Sequence, residues 1–124
     1  MILVTGGTGM LGSGILLECL KKNQPTRAIY RRTESLNHIK HLFKKLFPDK
    51  LNLFEQIDWI KTDLNDLEAL NKAFKGIKYV YHCAAKVSLV QFQNKKLIKT
   101  NIEGTANIVN LCIKHNIKKL GYVS

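Results

Sequence analysis

The first twelve residues, MILVTGGTGMLG, restrict the chain more than any other stretch, because an apolar run ends abruptly in four closely spaced glycines. Ile2, Leu3 and Val4 have the continuous hydrophobicity of a strand covered on both faces. Gly6, Gly7, Gly9 and Gly12 follow at once, and Gly7, Gly9 and Gly12 spell G-x-G-x-x-G. In a strand, turn and helix unit such glycines serve three needs: a tight turn, close approach of backbone N–H groups to a pyrophosphate, and close packing of helix on strand. The phosphates then sit on the helix N-terminus. Glycine clusters also mark ordinary turns; the apolar strand before this one and the apolar-periodic helix after it favour nucleotide binding.

The rest of the chain alternates in the same way. Met10, Leu11, Ile15, Leu16, Cys19 and Leu20 recur at helical spacing, predicting a helix from about Met10 to Lys22 that Pro25 stops. Arg27 to Tyr30 reads as a second strand ending at Arg31 and Arg32. Leu36, Ile39, Phe43, Leu46 and Phe47 mark a second helix, closed by Pro48. Ile57 to Thr62 is a third strand, followed by Asp63 and Leu64. Asn65 with Glu68 resembles a capping box, Leu67, Leu70 and Phe74 supply a buried stripe, and Gly76 fits the C′ stop. Tyr79 to Cys83 is a fourth strand running into the small residues Ala84 and Ala85. Leu97 or Ile98, Ile102, Ala106, Val109 and Ile113 form the longest helical stripe, ending near His115 and Asn116, and Lys118 to Ser124 opens a fifth strand.

Strands separated by helices predict an α/β fold with a doubly wound parallel sheet, since parallel neighbours need crossover connections. Its ligand crevice lies at the carboxyl ends of the strands, where the first and fourth separate. Gly6 to Gly12, Arg31, Asp63 and Cys83 to Lys86 all fall there. The residue about 20 positions past the last glycine faces the adenosine ribose: a carboxylate holds a 2′-hydroxyl, an arginine accommodates a 2′-phosphate. Counting from Gly12 reaches Arg31 and Arg32, and the planar guanidinium suits phosphate, so NADP is favoured with NAD as the alternative. Both arginines read equally as exposed loop residues if no nucleotide binds.

Composition narrows the other classes. With 124 residues, 45% hydrophobic and 23% charged, the chain suits one modest globular core. No apolar run approaches the roughly 20 residues of a membrane span, and Met1 leads straight into a strand, so a cytoplasmic protein without a membrane partner is expected. Cys19, Cys83 and Cys112 are widely spaced among apolar residues, which suggests small core residues and neither a disulfide framework nor a metal site. Twenty Lys and Arg against nine Asp and Glu give a net charge of +11, but the basic pairs are scattered over different predicted helices. Solvated helix faces and an anionic cofactor account for them better than nucleic acid.

These residues resemble the extended short-chain dehydrogenase/reductases, the NAD-dependent epimerase/dehydratase family, over the whole chain in order. Thr5 to Gly12, with Thr8, Met10 and Leu11 between the glycines, matches TGxxGxxG. Thr62-Asp63-Leu64 matches the acidic-leucine pair, Tyr81-His82-Cys83-Ala84-Ala85 the small-residue turn, and Asn101-Ile102-Glu103-Gly104-Thr105 the asparagine-headed helix segment. RAIYRR and HCAAKV are most similar to the dihydroflavonol-reductase-like branch, in which an arginine after the second strand binds the NADP phosphate, here Arg31. The resemblance implies a Rossmann fold and hydride transfer between nicotinamide and a carbonyl or secondary alcohol. It implies that Asp63 accepts from the adenine amino group beside Leu64, that Ala84 and Ala85 pass close to ribose and phosphates, that Lys86 reaches a ribose hydroxyl, and that Asn101 supports the active site. Taken without the resemblance, Asp63 reads as a residue preceding a helix and Asn101 as a polar residue at a helix edge. His82 reads as a packed histidine, not a base.

The chain departs from the family at its end. No pair Tyr-x-x-x-Lys lies within these residues: the residues four beyond Tyr30, Tyr79 and Tyr81 are Glu34, Cys83 and Ala85, and the position four beyond Tyr122 falls past residue 124. Residues 1–124 are therefore expected to be the N-terminal part of a dinucleotide-binding domain, truncated after its fifth strand, with no catalytic residue of its own and inactive alone. Substrate contacts fall to a missing C-terminal part, and a homodimer is a further expected partner. The alternative is a catalytically silent NAD(P)-binding sensor or partner-binding module.

Overall fold

The structure is a computed structural model that describes residues 1–83 and 95–123. The strand β1, Ile2–Thr5, is buried at every residue, as its unbroken apolar run requires. After it come α1 (Met10–Lys21), β2 (Thr26–Tyr30), α2 (Thr33–Leu46), a 3₁₀ turn (Pro48–Lys50), α3 (Leu51–Phe54), β3 (Asp58–Lys61), α4 (Leu67–Ala73), β4 (Tyr79–Cys83), α5 (Lys95–Lys114) and β5 (Lys119–Val123). The five strands form one parallel sheet in the order β3-β2-β1-β4-β5. β1 and β4 are neighbours, so the chain reverses its direction of growth between them, at the expected switch point.

Successive strand residues point to opposite faces, and each face has its own core. Ile2, Val4, Ala28 and Cys83 pack with Leu16, Cys19 and Leu20 of α1, Phe43 of α2 and Phe54 of α3. On the other face Leu3, Ile29 and Val80 pack with Leu70, Ala73 and Phe74 of α4 and beyond it, and with Ile108, Leu111 and Cys112 of α5. Cys19, Cys83 and Cys112 are free and buried, as small core residues should be.

Besides Leu67, expected in the buried stripe of α4 but 55% exposed at its first residue, three local expectations need correction. No element was expected between Pro48 and Gln56, yet the turn and α3 lie there; a four-residue helix is too short to show periodicity, and it exists because Phe54 closes an aromatic cluster with Phe43 and Trp59. The cap of α4 is Asp66, whose carboxylate accepts from Ala69 N at 3.2 Å, and not Asn65. Asn65 instead donates its backbone N–H to Asp63 Oδ1 at 3.0 Å, a tight turn that pushes the helix start one residue on.

The third correction concerns α5. Ile102, Val109 and Ile113, expected in its buried stripe, point outward, with Ile102 64% and Ile113 71% exposed. The buried positions are Gly104, Ile108, Leu111 and Cys112. The two sets are displaced by two residues, about 200° around a helix. α5 is therefore apolar on nearly opposite sides, and periodicity alone has no means of choosing between them.

Candidate functional site

At the expected position of the crevice β1 and β4 end side by side, with Thr5 opposite His82 in the parallel register. Gly6 leaves β1 with φ +68°, a conformation that costs an L side chain roughly 1–2 kcal/mol. A Cβ there would also lie 2.5 Å from the Cys83 carbonyl oxygen, so the end of β4 closes directly on the turn. The chain then folds back, Gly9 N donating to Gly6 O at 3.0 Å, and α1 starts at Met10. Gly12 sits on the same Gly6 carbonyl, which occupies the space of any Cβ at that position. The left-handed turn belongs to Gly6, the first glycine of TGxxGxxG. Gly7, which heads G-x-G-x-x-G, faces the core, where a Cβ would meet the Leu16 side chain at 2.9 Å.

Among the described residues, nothing of the protein's own sits on this helix end. Gly9 provides no side-chain cap, and the first turn carries no acidic residue. The first free helical donor to find a partner is Ser13 N, which bonds to Gly9 O at 2.9 Å. The N–H groups of the first turn and the positive end of the helix dipole thus remain available to an anion. Thr8 is half-buried, while Met10 and Leu11 stand exposed beside this cradle, Met10 at 95%. A space that only glycine leaves open, facing an uncapped helix of twelve residues, fits a pyrophosphate.

The remaining predicted residues are spread around this cradle. Arg31 and Arg32 are exposed immediately after β2, Arg32 at the amino end of α2. Lys61, paired in register with Tyr30, donates to Thr33 Oγ1 at 3.3 Å, bringing a further cation to that edge. Asp63 is half-buried after β3; one of its oxygens is engaged by the Asn65 N–H, so the turn-forming and ligand-facing readings are compatible. Leu64 lies beneath α5, where Gly104 leaves it room: a Cβ on Gly104 would approach Leu64 Cβ to 3.0 Å. Asn107 fastens the same loop, donating from Nδ2 to Leu64 O at 2.9 Å. Cys83 is buried, and burial pushes its thiol pKa up. Ala84, Ala85, Lys86 and Ser124 lie outside the described residues. Asn101 is half-buried on α5, on the same side as Thr105 one turn later.

Sequence reasoning passed over the groups that hold these pieces together. His82 is 2% exposed and bonds to Thr5 Oγ1 through Nδ1 and to Thr105 Oγ1 through Nε2 at 3.1 Å, joining β1, β4 and α5. Burial lowers its pKa, in keeping with a packed histidine. Thr5, Gly104 and Thr105 belonged to recognised motifs, but only the fold shows them meeting Leu64 and His82. Arg27 was read only as the start of a strand, yet it donates to Asp58 Oδ2 at 2.9 Å and to the carbonyls of Ala73 and Lys75 at 2.7 and 2.8 Å.

Known proteins share the family signature and the fold. The sequence profile of the NAD dependent epimerase/dehydratase family matches residues 2–124. Dihydroflavonol 4-reductase of Callistephus chinensis is 31% identical over 128 residues, covering 99% of this chain and 33% of its own length. The X-ray structure of Pen from Bacillus thuringiensis superposes with a TM-score of 0.76 at 28% identity, over 99% of this chain and 36% of that one. Triphenylmethane reductase of Citrobacter sp., solved in complex with NADP(H), superposes with a TM-score of 0.64 at 26% identity, over 100% and 37%. The chain thus spans about a third of the length of the curated relatives it matches. With a profile match over nearly every residue and the fold to accompany it, the chain belongs to the NAD-dependent epimerase/dehydratase family.

Proposed function

We propose that residues 1–124 form the cofactor-binding part of an NADP(H)-dependent oxidoreductase or epimerase/dehydratase acting on a carbonyl or secondary alcohol. The observation that carries this reading is the uncapped amino end of α1 behind Gly6 and Gly12, with Arg31 and Arg32 at the end of the neighbouring strand β2. In this reading the first turn of α1 and residues Gly6 to Gly12 hold the pyrophosphate. Arg31 meets the 2′-phosphate in a charge-assisted contact, NAD being the weaker alternative. Asp63 and Leu64 flank the adenine, Cys83, Ala84, Ala85 and Lys86 line the ribose side, and Asn101 approaches from α5. The bound nicotinamide supplies or accepts the hydride. The sequence holds no Tyr-x-x-x-Lys, so the proton-transferring pair and the substrate pocket are assigned to the parent protein outside these residues.

The test is the Arg31→Asp exchange in the full-length parent, followed by calorimetry with each nucleotide. NADP affinity is expected to fall about tenfold to a hundredfold, the scale of a lost hydrogen bond to a charged group, while NAD affinity rises because a carboxylate suits the 2′-hydroxyl. Unchanged NADP affinity would remove Arg31 from the site. Failure of the wild-type protein to bind either nucleotide would overturn the whole reading.

A further inference from the structure

His82 raises a question that packing alone does not answer. It sits on the sheet face beneath α5, two residues along β4 from Val80 and with the Tyr122 ring 5.6 Å from its own, where an aliphatic side chain would bring no polar group to satisfy. A buried imidazole is tolerated only when both nitrogens find partners, and here both do. Neutral imidazole carries one donor and one acceptor nitrogen, so one threonine hydroxyl must donate to it and the other must accept from it. The three side chains therefore form a directed chain of hydrogen bonds with little freedom of rotation.

The ends of that chain lie at the two places that matter for the crevice. Thr5 is the residue before Gly6, so fixing its side chain fixes the point from which the left-handed turn departs. Thr105 lies between Gly104, which closes on Leu64, and the segment whose Asn107 holds the Leu64 carbonyl. It is also four residues, about 6 Å along the helix, from Asn101. The imidazole bridges these regions from β4, whose last carbonyl, at Cys83, abuts Gly6.

We infer that the Thr5–His82–Thr105 chain is a positioning device for dinucleotide binding: it holds the glycine turn and α5 in the one mutual arrangement that presents the first-turn N–H groups of α1 to the pyrophosphate. This rests on the nucleotide reading above but assigns it residues with no ligand contact of their own. The mechanism is a matter of populations. With the chain intact the competent turn is the dominant form; without it the competent form is a fraction of the folded protein, and the apparent dissociation constant rises by the inverse of that fraction. Because NADP and NAD share the pyrophosphate, both must weaken by the same factor. That signature separates positioning from the 2′-phosphate contact of Arg31, which changes their ratio.

The experiment uses the full-length protein carrying Thr105→Val, His82→Gln, His82→Leu and, as a packing control, Ile108→Val from the same buried face of α5. Each is melted first, and NADP and NAD are then titrated by calorimetry where every variant is folded. Thr105→Val and His82→Leu are expected to raise both dissociation constants about three- to tenfold with their ratio unchanged. His82→Gln, which retains a donor and an acceptor, recovers part of the loss. Ile108→Val lowers the melting temperature and leaves both constants alone. The inference is overturned if Thr105→Val and His82→Leu bind as the wild type does, if Ile108→Val costs as much affinity as Thr105→Val, or if NADP alone is weakened. Should His82→Leu fail to fold, Thr105→Val decides, since it replaces one methyl-sized hydroxyl in a half-buried position. If Arg31→Asp leaves the NADP to NAD ratio untouched while Thr105→Val weakens both, the 2′-phosphate assignment fails and the positioning role stands. If the wild type binds neither nucleotide, both fall together.

Discussion

The two ends of the crevice are built on opposite principles. At the glycine turn the main chain is locked: Gly6 is pressed on Cys83, Gly12 on Gly6, and Thr5 is tied through His82 to α5. At the end of β2 the groups proposed to meet the nucleotide are exposed side chains, Arg31 and Arg32, on a short connection into α2. The first end costs nothing further to organise when an anion arrives, so it is suited to affinity; the second must order long side chains at each binding event, so it is suited to discrimination. A chain built this way can change its nucleotide preference by surface substitution without disturbing its fold.

The sharpest way to break that contrast is Gly12→Ala. The new methyl group has to displace the Gly6 carbonyl, and with it the turn, so a loss of about 1–3 kcal/mol of stability is expected together with loss of both nucleotides. Thermal melting and calorimetry check the two parts. Retention of wild-type affinity for either nucleotide would mean that the turn is not a rigid element.

Arg27→Met sharpens the comparison from the other side, because Arg27 and Arg31 lie on one short stretch and differ only in surroundings. Arg27 serves Asp58 and two carbonyls near the end of α4, so its removal leaves Ala73 O and Lys75 O without a donor. A loss of about 1.5–3 kcal/mol is expected with the NADP to NAD ratio unchanged. A stable Arg27→Met protein with altered nucleotide preference would reverse the roles assigned to the two arginines.

Smaller still is the pH effect of the buried imidazole. Burial holds the folded-state pKa of His82 below its ordinary 6.5, so as the pH falls the unfolded chain takes up the proton first. Stability is then unaffected above pH 6.5 and declines below it, by at most about 1.4 kcal/mol per pH unit for one histidine. His115, lowered by burial and then by the charges of Lys114 and Lys75, adds a decline of the same sign. The His82 share is read as the difference between wild type and His82→Gln in urea melts at pH 7 and pH 5; parallel curves would show that His82 is charged in the folded state.

How legible the molecule was in its sequence follows the same division. The glycine turn, the parallel order and the switch point could be read because each rests on a local steric rule that leaves a mark in residue type: glycine where no Cβ fits, apolar runs where both faces are covered. Arg31 could be singled out by its distance from Gly12, but the structural role of Arg27 could not be read, since it rests on Ala73 O and Lys75 O, nearly fifty residues away. The buried side of α5 was misread for a related reason: Ile102, Val109 and Ile113 satisfy the helical period as well as Gly104, Ile108 and Cys112 do, and the choice is made by Leu64 and the sheet. Motifs showed which residues matter; only tertiary contacts showed that the motifs act on one another, as Thr105 does on His82.

The smallest prediction isolates steric closure from helix propensity. Gly14 lies two residues beyond Gly12 in α1, is exposed, and among the described residues has nothing within 4 Å of where a Cβ would go. Gly14→Ala removes backbone entropy from the unfolded chain and adds no clash, so it should raise stability by about 0.5–1 kcal/mol and leave nucleotide affinity unchanged. The same substitution in the same helix is thus expected to carry opposite signs at positions 12 and 14. Paired melting curves make the comparison independent of the helix itself: if both alanines stabilise, the Gly6 carbonyl yields easily and the turn is softer than its contacts suggest; if both destabilise alike, the glycines of α1 answer to something other than the space left for the turn.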